Sequence, residues 1–349
     1  MKDPMRLGIV GLRGSGKTTL FKILSSGKEG KSLGPSWHLA TIEVPDDRLD
    51  TLGKLHEGKK LVRIHLDFVD GLALGESKPL SPGSEASFFD SLDGLIVVIR
   101  SFRDELLDGE QRSPDPKRDL DSILTYFLLY DLELLERRLA QIEKQRKVGK
   151  TENPREEEVV RNCLKELEAG HRLRDLHFSG DTEKMLRSFR LLSMFPMLTV
   201  LNMGDEEVPP LEPGGNLNCA RIYGKTELEI LALPENERGD FIIELGVGEL
   251  HREKVLKACL AALNQITFFT IGKNEVRAWS LRKDGTALDA ADAVHTDMVR
   301  GFIKAEVISF DELVKWKTLP AAREKGILRL EGRDYPVKDG DVIYIKFST

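Results

Sequence analysis

The chain has 349 residues, enough for two or three domains with a core that needs no disulfide staples. Its 40% hydrophobic and 32% charged residues are ordinary for a globular chain, and a formal net charge of −6 excludes a global pull toward nucleic acid or anionic membrane. Cys163, Cys219 and Cys259 are too few and too widely spaced for a disulfide framework or a zinc site. With no secretory leader and no apolar run long enough to span a bilayer, a reducing cytoplasm is the expected setting.

In chain order, "RLGIVGL" (6–12) reads as a buried strand and "GKTTLFKILSSG" (16–27) as a helix stopped by glycine. "HLATIEV" (38–44) and "LVRIHLDFVD" (61–70) are β-rich, and "LDGLIVVIRSF" (92–102) is another buried strand. Strands separated by helices predict an α/β fold with a mostly parallel sheet. From Asp119 to Leu192 apolar residues recur at helical spacing, which predicts a helical pair inserted in the α/β domain. Its exposed tip is expected at "KVGKTENPREE" (147–157). The α/β texture returns with "MLTVLNMGDEE" (197–207) and "CARIYGK" (219–225), and "KVLKACLAALNQI" (254–266) is an amphipathic helix leading out of the domain. A β-rich module follows, with strands expected at "EVRAWSL", "GFIKAEV", "ILRLEGRDY" and "DVIYIKF".

Gly11, Gly16, Lys17 and Thr18 fit the phosphate-loop pattern G-x-x-x-x-G-K-[ST], after a strand and before a helix. Glycines let the backbone curl so that N–H groups point at phosphate oxygens, and the helix start adds its positive dipole end. Arg13, Gly14, Ser15 and Thr19 complete the expected cradle. Lys17 should reach the β- and γ-phosphates, and the Thr18 hydroxyl should ligate Mg2+. The acidic partner expected at a nearby strand end is Asp70, catalytic together with Lys17 and a Mg2+ ligand together with Thr18. Asp67 competes for that role, but on an alternating strand it faces the other side.

Over nearly its full length the chain resembles the YchF or Obg-like ATPases, P-loop proteins of the translation-factor class of GTPases. "GLRGSGKTTLF" is similar to the family's G-L-P-N-V-G-K-S-T-L-F, and "VPDDRLDTLGKL" to its strand and helix after switch I. "DPKRDLDSILTYFLLYDLELLERRL" resembles the head of the family's helical insert. "TFFTIGKNEVRAWSLRKDGTALDAADAVHTDMVRGFIKAEVISFDEL" and "LRLEGRDYPVKDGDVIYIKF" resemble its TGS module, a ubiquitin-like β-grasp domain. The resemblance implies a P-loop G domain at 1–118 and 193–266, a coiled-coil insert at 119–192 and a TGS domain at 267–349. It further implies nucleotide hydrolysis, of ATP in preference to GTP, and association with ribosomes.

Several positions depart from the family pattern. Gly14 replaces an asparagine that in related GTPases helps place potassium, and Arg13 replaces a proline. No threonine falls in register for switch I, where Ser32, Gly34 and Ser36 are the nearest candidates. Switch II reads Asp70-Gly71-Leu72-Ala73 against D-x-x-G-L, so the glycine that would face the γ-phosphate is absent at Ala73, and Gly71 or Gly75 would serve only with a rearranged loop. At the base site, Asn202 and Met203 fit V-x-N-x-x-E while Asp205 replaces its glutamate, and Tyr223, Gly224 and Lys225 stand where S-A-K belongs. A carboxylate suits the donors of guanine and opposes the lone pair at adenine N1, so Asp205 points to GTP, while Met203 and the family point to ATP.

Arg137, Arg138, Lys144, Arg146, Lys147 and Lys150 in the insert form either a phosphate-tracking patch for RNA or a solvated face balanced by glutamates. Arg277, Trp279, Arg282, Lys283 and Lys304 are candidates for a mixed aromatic and basic sheet face, with half-buried core the alternative for Trp279, and His295, lacking metal-ligand spacing, is expected to be structural. The expected ligand is a purine nucleotide, ATP or GTP, with Mg2+. The expected partner is the ribosome or RNA, with no DNA specificity, no membrane contact and a monomeric chain. Two functions fit: a slow NTPase, or a hydrolysis-deficient nucleotide-binding adaptor docking through the insert and TGS domain.

Overall fold

The computed structural model describes residues 3–28, 30–32, 37–74, 86–111, 113–148, 154–204, 208, 211, 218–244 and 250–348. Gly34, Ser36, Gly75, Lys150 and Asp205, with residues 149–153 of the expected tip of the insert, lie outside them. The chain divides into two compact units, Arg6–Ala40 with Phe68–His251, and Met1–Met5 with Thr41–Asp67 and Arg252–Thr349.

The larger unit is built on strands β1 (Met5–Leu12), β2 (Lys31–Ser32), β3 (His38–Val44), β5 (Ile64–Leu74), β6 (Gly94–Ser101), β7 (Met197–Met203) and β8 (Asn218–Ile222). A short β4 (Lys60–Val62) precedes β5 and pairs elsewhere. The sheet order is β2-β3-β5-β1-β6-β7-β8, and β1, β6, β7 and β8 run parallel. β3 and β5 each have residues in both units. Every residue of β6 is buried, as a central parallel strand covered on both faces requires. The helices of this unit are α1 (Lys17–Leu24), α3 (Ala86–Asp90), α4 (Glu105–Gln111), α5 (Pro116–Lys147), α6 (Pro154–Glu168), α7 (Gly180–Ser188), α8 (Gly224–Ala232) and α9 (Glu235–Glu244). Helix α2 (Asp47–Leu55) belongs to the smaller unit.

The insert starts where local chemistry dictates. Asp115 accepts from Arg118 N at 3.0 Å, Pro116 occupies the first turn of α5, and Lys144, Arg146 and Lys147 close the last turn against the dipole. This 32-residue helix serves two cores. Leu120, Ile123, Phe127 and Tyr130 pack with Phe88, Phe89 and the β6 side chains. Leu135 and Ile142 pack with Val160, Cys163 and Leu167 of α6. Each such fully buried side chain contributes about 1.5–3 kcal/mol. The basic residues of α5 are largely engaged: Arg137 pairs with Glu133, Arg138 with Glu156 and Arg146 with Glu157.

The smaller unit holds α10 (Arg252–Ala262), β9 (Gln265–Ile271), β10 (Glu275–Arg282), α11 (Ala287–Val294), α12 (Thr296–Arg300), β11 (Phe302–Ser309), α13 (Phe310–Trp316), α14 (Leu319–Glu324), β12 (Arg329–Glu331) and β13 (Asp341–Phe347). The sheet runs β12-β11-β13-β9-β10-β4, and α11 lays Ala287, Ala290 and Ala291 against its core, the expected β-grasp arrangement with β4 added in parallel at one edge. The β-rich reading of this region therefore needs correction: it missed β9 and four short helices, of which α11 and α13 are announced by the capping boxes Thr286–Asp289 and Ser309–Glu312. Arg48 ties α2 to the module through Asp339 at 2.6 Å and lies 5.3 Å over the Phe269 ring.

Trp279 sits on the core side of this sheet, 6.4 Å from Phe268, with its indole N–H donating to Thr270 Oγ1 at 2.9 Å. Arg277 covers the same ring at 4.5 Å. Ala305 and Val307 face that core, so Lys304 points to the opposite face, and the five residues singled out as one mixed surface do not share a face. His295 caps α12, its Nδ1 accepting from Asp297 N at 3.2 Å.

Candidate functional site

β1 delivers the chain to the phosphate loop, and each glycine there answers a steric demand. A Cβ on Gly11 would lie 2.5 Å from Val98 O of β6, so only glycine lets the loop leave the sheet at this point. Gly16 is left-handed, with φ 96°, and a Cβ on it would overlap Asn202 Nδ2. α1 begins at the next residue with no side-chain cap and no acidic residue in its first turn. The start of α1, with its positive dipole end, is thus suited to an anion. Lys17 reaches back over the loop, donating from Nζ to Leu12 O at 2.8 Å and Gly11 O at 3.2 Å. Arg13 and Thr18 are exposed, while Gly14, with φ 75°, and Thr19 are half-buried.

Asp67 and Asp70 are both buried on β5, but differ in their partners. Asp67 accepts from Thr41 Oγ1 at 2.6 Å. Asp70 Oδ1 has no hydrogen-bond partner among the described residues, and neither has the buried Ser15 Oγ. An orphaned buried carboxylate oxygen is a costly arrangement that a cation or its water would satisfy. It fits a Mg2+ ion, which takes only one or two protein groups beside phosphates and water. No cluster of three or more His, Cys, Asp or Glu suited to a metal exists among the described residues. One expectation is corrected: β5 does not end at Asp70 but continues to Leu74, because Leu72 and Leu74 are drawn into the core beside Phe88 and Phe89.

On the base side, Asn202, the last residue but one of β7, acts as a brace. Its Nδ2 donates to Ser15 O at 3.1 Å and its Oδ1 accepts from Gly224 N at 3.1 Å, locking the phosphate loop to the start of α8. Gly224 is required there, since a Cβ would lie 2.5 Å from Asn202 Oδ1 and 2.9 Å from Thr19 Cγ2. Met203 packs toward the hydrophobic core, Lys225 is exposed, and Asp205 falls outside the described residues. Tyr223 is half-buried, its ring 5.6 Å from His251.

Three features escaped the reading of the sequence. Arg100, buried on β6 in register with Asn202, pairs with Asp108 of α4 at 3.0 Å. Gly204 approaches Phe102 so closely that a Cβ would lie 2.7 Å from Phe102 Cβ. Glu227, fully buried, accepts from Tyr223 N at 3.0 Å. Only the i, i+4 spacing of Tyr223 and Glu227 at a helix start could have signalled the last. Burial pushes the Cys163 thiol up to about 11 and Cys259 higher still, so neither of these two buried thiols is a ready nucleophile.

The family model YchF-GTPase_C, described as a protein of unknown function (DUF933), matches residues 265–348. The ribosome-binding ATPase YchF of Bacillus subtilis (strain 168) is 33% identical over 364 residues, covering 98% of both chains. The ribosome-binding ATPase YchF of Escherichia coli O157:H7 is 32% identical over 362 residues, covering 98% of this chain and 99% of its own. The solved structure of the Schizosaccharomyces pombe YchF GTPase matches with a TM-score of 0.79 at 25% identity, covering 99% of this chain and 98% of that one. Similar from the phosphate loop to the last strand, the chain belongs to the YchF family.

Proposed function

We propose that the chain is a Mg2+-dependent P-loop NTPase that binds a purine nucleotide, hydrolyses it slowly and works on the ribosome in the cytoplasm. The observation that carries the nucleotide reading is the strand–loop–helix with Lys17 folded over it. The ribosome enters from the names of the relatives in Bacillus subtilis and Escherichia coli. The loop backbone and Lys17 hold the phosphates, and Thr18 and Asp70 would hold Mg2+, which supplies charge neutralisation on the transferring group. Functionally, residues 1–118 with 193–266 bind nucleotide, while the insert at 119–192 and the module at 267–349 dock the partner.

A second reading, an adaptor that binds nucleotide without hydrolysing it, is favoured by the switch region. There β5 runs on past Asp70, and Leu72 is buried in the core. Single-turnover hydrolysis with Mg2+ separates the two readings. Turnover without a partner is expected below the kinase range of about 1–100 s⁻¹, because Ala73 stands where a glycine would face the γ-phosphate. A rate inside that range would show intact switches, and no product from a bound nucleotide would favour the adaptor.

With both ends of the Asn202 amide engaged, base recognition passes to the segment after β7. Asp205→Asn is expected to weaken GTP more than ATP, since an amide oxygen replaces a charged acceptor of two guanine donors while adenine has no donor at N1. Parallel titrations of wild type and variant with each nucleotide check this. Equal losses, or a larger loss for ATP, would remove the reason that Asp205 gives for keeping GTP as a candidate ligand.

A further inference from the structure

A chain of hydrogen bonds leads from the phosphate loop to the point where the polypeptide leaves the larger unit. Asn202 links Ser15 O to Gly224 N, and the neighbouring Tyr223 N donates to Glu227 Oε1 at 3.0 Å. The other oxygen, Glu227 Oε2, accepts from His251 N at 3.2 Å, and His251 Nδ1 lies 3.2 Å from Oε1. The His251 imidazole also borders the Tyr223 ring, with 5.6 Å between centroids and 51° between planes. Arg252, the next residue, begins α10.

A fully buried carboxylate held by backbone N–H groups and an imidazole is expensive to desolvate. Here it fixes the entry to α8, where Tyr223 and Gly224 would border the base. We propose that Glu227 is a positioning residue for nucleotide recognition: with His251 it holds the Tyr223–Gly224 corner in the geometry that receives the purine. This rests on the nucleotide-binding reading above and adds a residue that touches no phosphate.

The test compares a ligand with a base to one without. Glu227→Gln keeps the shape but turns one acceptor into a donor facing a backbone N–H. Calorimetric titration is run with ATP, GTP and inorganic tripolyphosphate, each with Mg2+. Glu227→Gln is expected to weaken the tighter nucleotide about tenfold or more while leaving tripolyphosphate unchanged. His251→Ala should show a smaller loss of the same kind and decides the matter if the first variant does not fold. Equal losses for nucleotide and tripolyphosphate, or no loss for either, would overturn the positioning role. A wild-type chain that binds tripolyphosphate but neither nucleotide would overturn this proposal and the purine reading together, whereas nucleotide binding insensitive to both variants overturns only the positioning role.

Discussion

Lys17→Ala is expected to abolish tight nucleotide binding while leaving the fold intact. The ammonium is held over the loop by Gly11 O and Leu12 O, in a half-buried position where its charge is poorly screened by water. α1 is anchored by the buried Leu20, Phe21, Ile23 and Leu24, so truncation at Lys17 removes a charge and spares the core. Charge-assisted hydrogen bonds to phosphate contribute about 1.5–3 kcal/mol each, and losing two corresponds to roughly 10²–10⁴-fold in affinity. Titration calorimetry measures the loss, and a thermal melt by circular dichroism checks the fold. An unchanged affinity would sink the phosphate-loop assignment.

The phosphate loop was legible in the sequence because its residues answer local demands. Gly16 takes the left-handed backbone that the turn into α1 requires, and Lys17 acts within six residues of its partners, whereas the close approaches of Gly11 to Val98 O and of Gly16 to Asn202 are long-range. The buried strands β1, β6 and β7 were legible for the same reason, their apolar runs being continuous. What could not be read depends on partners far away along the chain. Asn202 is 187 residues from Ser15, and nothing near either residue says that the amide braces the loop.

β4 is three residues long and finds its pairing partner in β10, more than two hundred residues on. Periodicity over so short a stretch cannot choose between continuing into β5 and joining another sheet. Asp70 failed as a strand end for a related reason. A carboxylate suggests a turn, but burial of Leu72 and Leu74 outweighs that preference and carries β5 onward. In the C-terminal module the two faces of the sheet were not separable by composition. Trp279 reads either as part of a mixed surface or as half-buried core, and only the register of β11 against the core shows that it and Lys304 lie on opposite sides.

The last expectation concerns Asp131, where the insert meets the sheet. This residue of α5 is fully buried and accepts from Leu192 N at 2.7 Å and Ser193 N at 2.8 Å, pinning the short turn Leu192–Met194 that feeds β7. Two backbone donors favour the carboxylate, yet the turn has only three residues and offers little dipole. Burial wins and pushes the group up to about 7 from its ordinary 3.8. The folded state therefore holds this proton more tightly than the unfolded chain. Its stabilising contribution is fully present below about pH 4 and is lost progressively as pH rises to about 7, with a slope of at most ~1.4 kcal/mol per pH unit and a total on the order of 4 kcal/mol. Asp131→Asn does not titrate, so the difference in unfolding free energy between variant and wild type should shift in favour of the variant across that window and level off above it. Urea unfolding at intervals from pH 4 to 8 measures the difference, in which all other titrating groups cancel. Two parallel curves would mean that Asp131 stays ionised in the folded protein and that the donors of Leu192 and Ser193, not burial, set its charge.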